Sequence, residues 1–217
     1  MRLKVCGMTL ADQVGGLMDL GVHYAGFIFY DKSPRYCLNH LTTAEISDFA
    51  NIQKVGVFVN MDEEALLRIA DDSKLDWVQL HGDETPQYCK NISGYYPVIK
   101  AFRTSDTDLV QIKTQEYFEW ADMYLFDTEA VGPNKAGIYG GTGKKFDWNV
   151  LNEMPERKPY LLSGGVDPFS APQVKAFMKE KDRPMLHALD VNSRFETAPG
   201  VKDLKLVKKF LKDIEHF

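Results

Sequence analysis

The chain has 217 residues, 44% of them hydrophobic and 26% charged, with 26 basic against 31 acidic side chains and a formal net charge of −5 at pH 7. That composition is an ordinary globular one; it excludes collagen-like, disordered and disulfide-scaffold classes, and the mild acidity argues against a nucleic-acid partner, whose phosphates call for a basic surface. No apolar run approaches the roughly 20 residues that would cross a bilayer, so no membrane partner is expected.

From Met1 the sequence runs directly into a strand-like segment, with no charged-then-apolar leader before it, which is the pattern expected of a cytoplasmic protein. Short apolar runs rich in β-branched and aromatic residues follow at Leu3–Cys6, Gly26–Phe29, Val55–Val59, Trp77–Leu80, Val98–Phe102, Met123–Phe126, Tyr160–Ser163 and His187–Val191. Helix-length segments separate them. Thr42-x-x-Glu45 reads as a capping box, and Asp167-Pro168 as an N-cap followed by proline at the first helical position. The last helix is clearest, with Leu204, Val207, Phe210, Leu211 and Ile214 on one face and lysines largely off it.

Eight strand-helix units in this length leave about 27 residues each, near the minimum for a βαβ unit. The expectation is one domain spanning 1–217, an α/β fold closed into a single (β/α)8 TIM barrel. A doubly wound open sheet is the alternative; it would more often carry a glycine-rich dinucleotide fingerprint after its first strand, which Cys6-Gly7-Met8-Thr9 is not.

In a barrel, chemistry sits at the C-terminal ends of the strands. That places Cys6, Arg35, His81, Asp127, Ser163-Gly164-Gly165 and Asp190-Val191-Asn192-Ser193 at one mouth. Two glycines after strand 7 allow close backbone approach to a phosphate, and the loops after strands 7 and 8 are the common phosphate place in such barrels. The connection 129–147 holds five glycines, Gly141 and Gly143 among them, and a connection of that length is expected to be a lid or binding loop. Gly140-Gly141-Thr142-Gly143-Lys144-Lys145 fails as a P-loop, because Ile138 stands at the first glycine and Lys145 at the magnesium-holding Ser/Thr. Cys6, Cys37 and Cys89 show no metal spacing and the histidines form no H-x-x-x-H pair, so neither metal nor disulfide framework is expected. Period-2 alternation sets Lys4 on the Cys6 face. A barrel-facing Lys4 needs a partner, and Asp190 on the neighbouring last strand is the candidate.

Taken together, Lys4-Val5-Cys6-Gly7-Met8-Thr9, Gly26-Phe27-Ile28-Phe29 with Ser33-Pro34-Arg35-Tyr36, Val78-Gln79-Leu80-His81-Gly82-Asp83, Leu125-Phe126-Asp127, Gly140-Gly141-Thr142-Gly143, Ser163-Gly164-Gly165 and Asp190-Val191-Asn192-Ser193 resemble the phosphoribosylanthranilate isomerases, in order and over almost the whole chain. The resemblance implies the Amadori rearrangement of tryptophan biosynthesis, on a small phosphorylated substrate and with no cofactor. It implies Cys6 as general base, Asp127 as general acid, and Arg35 near the anthranilate part. Substrate contacts are expected from His81, Gly141, Gly143 and Asp190, and phosphate contacts from Gly164, Gly165, Asn192 and Ser193. Catalysis at neutral pH would then ask burial to raise Asp127 and nearby positive charge to lower Cys6.

One departure stands out: many relatives continue Gly-Val-Glu after Asp190-Val191-Asn192-Ser193, where this chain has Arg194-Phe195-Glu196, adding Arg194 as a candidate phosphate cation. Three other readings compete. An aminoaldose-phosphate isomerase could use two carboxylates, where here the first strand ends in Cys6. A catalytically silent phosphate-binding scaffold has no need of both Cys6 and Asp127. Covalent catalysis by Cys6 with His81 as base would join strands 1 and 4, on opposite sides of an eight-stranded barrel. Monomer and homodimer are equally compatible with the amphipathic outer helices.

Overall fold

The computed structural model describes residues 1–104, 114–128, 148, 158–179 and 185–215. Eight parallel strands pair in chain order: β1 (Arg2–Cys6), β2 (Tyr24–Ile28), β3 (Gln53–Phe58), β4 (Trp77–Leu80), β5 (Val98–Thr104), β6 (Met123–Thr128), β7 (Tyr160–Leu162) and β8 (Leu186–Val191). The ladder closes where β8 pairs with β1, Lys4 standing opposite Asp190. Every strand has two neighbours, so the doubly wound sheet, which must leave two edges, is excluded. The connection 129–147, expected as a lid and carrying Gly141 and Gly143, lies outside the described residues.

Helices α1 (Ala11–Asp19), α2 (Thr43–Asp48), α3 (Glu63–Asp72), α4 (Pro86–Ser93), α5 (Ala171–Lys179) and α6 (Leu204–Ile214) lie between or after the strands. The capping box ahead of α2 is formed: the Glu45 amide donates to Thr42 Oγ1 at 3.2 Å, and the Thr42 amide donates to Glu45 Oε2 at 2.7 Å. The cap expected at Asp167 is not. Helix α5 starts four residues later at Ala171, and Ser170 O accepts its first bond, from the Val174 amide at 2.8 Å. Asp167 instead folds a tight turn, accepting from the Phe169 amide and from Ser170 Oγ. Val207, Phe210, Leu211 and Ile214 of α6 are buried, and Leu204 lies over Gly16 of α1.

The pleat sorts strand residues into two cores. Alternate residues such as Leu3, Val5, Phe27, Val78, Phe126 and Leu189 face outward under the helices, and Tyr24, Val55, Ile99, Leu125, Leu161 and Ala188 fill the barrel interior. Two residues further along an inward-facing row lies the mouth. Lys4 precedes Cys6 in this way, Leu125 precedes Asp127, and Ala188 precedes Asp190, so packing and site share one periodicity. A short antiparallel hairpin, β9 (Glu196–Ala198) and β10 (Val201–Lys202), follows the loop after β8.

Candidate active site

At the floor of the mouth Lys4, fully buried, donates to Asp190 Oδ1 at 2.8 Å, the partner expected from the strand register. Burial alone would lower the Lys4 ammonium, but Asp190 and Cys6 beside it more than offset that and raise it. Cys6 lies directly across from Gly26 of β2, where a Cβ would come within 2.8 Å of the sulfur and 3.0 Å of Cys6 Cα. Only glycine there leaves the thiol its place.

The expectation that positive charge lowers the thiol is overturned. Burial pushes Cys6 up, and although Lys4 and Lys202 pull the other way, Asp190 adds to the rise. The reason is that burial outweighs the lysines: Lys4 exerts the stronger opposing pull, and Asp190 cancels part of it.

Across the barrel, Asp127 at the end of β6 is 5% exposed, with His81 Nε2 3.5 Å from Oδ2 and Ser163 Oγ 3.5 Å from Oδ1. His81 is held from both sides. Its amide donates to Phe58 O, and the loop after it is pinned by Lys100, whose ammonium donates to Gly82 O at 2.9 Å and to Glu84 at 2.7 Å. Glu84 in turn accepts from the Gly82 and Asn60 amides. Such a buried pair is satisfied on every side and fixes backbone position.

After β7, Gly164 and Gly165 adopt φ of 59° and 87°, conformations that side-chain-bearing residues rarely take. Their carbonyls bond away from one another, Gly164 O accepting from Trp148 Nε1 and Gly165 O from Ser170 Oγ. One open cleft unites these parts: Cys6, His81, Asp127 and Asp190 line it, as do Gly164, Gly165, Asn192, Ser193 and Arg194. Ile28, Val57 and Val59 give it an apolar wall.

Arg35 stands apart from the cleft lining. Its guanidinium grips the Glu196 carboxylate, Nη2 to Oε2 at 2.7 Å and Nε to Oε1 at 2.9 Å. Glu196 also takes buried Lys202, which donates to Asn192 Oδ1 at 2.7 Å. Burial works against the Glu196 carboxylate, but Arg35 and Lys202 hold it below its ordinary value; Lys202 is lowered by burial, with Glu196 offsetting part of that. This network, and Gln79 among the cleft-lining residues, were missed from sequence. The Pro199-Gly200 dipeptide was the available signal for the β9–β10 turn.

A closed parallel barrel with a thiol, an imidazole and two carboxylates at the C-terminal ends of its strands, beside the paired glycines of the loop after β7, defines a (β/α)8-barrel enzyme. Residues 3–213 match the family model described as N-(5'-phosphoribosyl)anthranilate (PRA) isomerase. The N-(5'-phosphoribosyl)anthranilate isomerase of Parabacteroides distasonis is 37% identical over 219 residues, covering 100% of this chain and 94% of the relative. The crystal structure of phosphoribosyl anthranilate isomerase from Thermotoga maritima superposes with a TM-score of 0.81 at 31% identity, covering 100% of both chains. A phosphoribosyl anthranilate isomerase in complex with reduced 1-(o-carboxyphenylamino)-1-deoxyribulose 5-phosphate superposes with a TM-score of 0.79 at 29% identity, again over 100% of both chains. The chain belongs to the N-(5'-phosphoribosyl)anthranilate isomerase family.

Proposed function

We infer that this enzyme converts N-(5-phosphoribosyl)anthranilate to 1-(2-carboxyphenylamino)-1-deoxyribulose 5-phosphate in tryptophan biosynthesis, with Asp127 as general acid and Cys6 as general base. The observation that carries the reading is the placement of a buried carboxyl on β6 and a buried thiol on β1 across a single small-molecule cleft. Asp127 gives its proton to the furanose oxygen as the bond from that oxygen to C1′ breaks, leaving a protonated imine between C1′ and nitrogen. The imine acidifies C2′–H, and the Cys6 thiolate removes that proton to form the enolamine. Reprotonation at C1′ and ketonisation at C2′ complete the isomerisation, with acid and base meeting different atoms of one held sugar.

The phosphate is assigned to the loops after β7 and β8. Gly164 and Gly165 bring backbone close, Asn192 and Ser193 supply polar contacts, and Arg194 supplies a cation that many relatives lack. Arg35, tied to Glu196, is assigned to the anthranilate part of the substrate, as the family resemblance implies. Asp190 is assigned to the sugar and His81 to the acid's side of the cleft. The product-analogue complex of the relative at 29% identity supports a phosphorylated small-molecule ligand.

The test is loss of substrate fluorescence on mixing enzyme with freshly made phosphoribosylanthranilate. Cys6→Ser and Asp127→Asn are each expected to lower turnover by about 10²-fold or more, with binding of the reduced product analogue held within a few fold. Wild-type turnover in either variant would remove that residue from the mechanism.

A further inference from the structure

One polar contact in the cleft plays no part in the proton transfers above. Gln79 is 1% exposed and lies two residues before His81, on the same face of the β4 row, with its amide Nε2 2.7 Å from His81 Nδ1. An amide NH2 only donates, so Nδ1 must be the accepting nitrogen, and the neutral ring then carries its proton on Nε2. That nitrogen lies 3.5 Å from Asp127 Oδ2. His81 Nε2 and Gln79 Oε1 are both buried and lack a hydrogen-bond partner among the described residues. Orphaned polar atoms inside a protein are costly, and they persist where a function uses them. The nearby charges on the loop side are already paired with one another, Lys100 with Glu84 and Arg103 with Asp83.

We propose that Gln79 is a positioning residue that selects the His81 tautomer with its Nε2 proton aimed at Asp127. The proposal rests on the reading of Asp127 as the acid. When Asp127 passes its proton to the ring oxygen, the Nε2–H closes the last few tenths of an ångström and stabilises the new carboxylate. No bond to His81 forms or breaks and its proton stays on Nε2.

Nitrogen NMR of the histidine-labelled enzyme reads the tautomer directly. Wild type is expected to show Nδ1 unprotonated and accepting, with the proton on Nε2. Gln79→Glu places an acceptor opposite Nδ1 and is expected to move the proton there, lowering kcat about tenfold or more while KM stays within about twofold. Gln79→Met, similar in volume and without a donor, is expected to give a tautomer mixture and an intermediate kcat. A wild-type spectrum with Nδ1 protonated overturns the proposal, as does a reversed tautomer in Gln79→Glu with unchanged kcat. The wild-type spectrum needs no variant to fold. It is also read independently of Asp127→Asn turnover, so failure of the tautomer assignment and failure of the acid assignment are told apart.

Discussion

A thiol sealed into the floor of a barrel starts from the wrong side of its titration. Burial holds Cys6 above its ordinary value, and the pull of Lys4, partly cancelled by Asp190, does not reverse that. The sign of the resulting pH dependence is fixed: a base must be deprotonated, and a raised pKa leaves a small thiolate fraction at neutrality that grows about tenfold per pH unit until that pKa is reached. The rate at which a small haloacetamide alkylates Cys6 follows that thiolate fraction and is expected to climb from pH 7 with no plateau below about pH 9. Mass spectrometry of the Cys6 peptide across the pH range checks this, and an alkylation rate already level at pH 7 would show that the thiol is not raised. The residue itself was legible in the sequence as a polar strand end. Its titration was not, because the direction depends on how deeply the thiol is buried, and that is a property of the closed barrel.

At the scale of elements, the loop after β8 and the β9–β10 hairpin act as a clamp around Glu196. Two cations, Arg35 and Lys202, converge on one buried carboxylate, and Lys202 carries the link onward to Asn192 in the loop assigned to phosphate. Glu196→Gln leaves both cations short of a counter-charge and is expected to cost about 3 kcal/mol and to raise KM, measured by urea unfolding and steady-state kinetics at pH 7. Glu196 has a depressed folded pKa, so its contribution is present above the unfolded value of about 4.3 and is lost as pH falls through the folded one. Wild type and variant should therefore converge in stability toward acid pH. Strands and their inward rows were legible because period-2 alternation is local, and so was the capping box at Thr42. The clamp was not: Glu196 and Lys202 read as ordinary charged residues around a turn, and their meeting with Arg35, some 160 positions earlier, exists only once the barrel closes. Asp167 misled for a related reason, since its side chain satisfied a local turn before the helix could use it.

Over the whole molecule, a chain of formal charge −5 still keeps a few cations at the mouth of the barrel, where the phosphate is assigned. Arg194 lines the cleft there, and Arg35 and Lys202 meet behind Asn192. Lys4 contributes to the fold more than to that field. Its pairing with Asp190 lies in the seam between the first and last strands, and Lys4→Met leaves a buried carboxylate alone, at an expected cost of about 3–5 kcal/mol. The double variant Lys4→Met/Asp190→Leu should recover most of that loss in urea titrations. Equal losses in the single and double variants would show that the seam depends on the charges and not on their balance.

The same seam sets an order on folding. Lys4 and Asp190 are separated by 186 positions, so during synthesis the first strand emerges long before its partner exists, and its ammonium cannot be buried until the eighth strand is made. Contacts this remote form late and slowly. Each strand, β1 included, can pair with the next as it appears, and only the β1–β8 ladder must wait for ring closure. A nascent chain lacking β8 thus keeps β1 as an open edge, with Lys4 short of its carboxylate, until the last strand arrives to close the barrel.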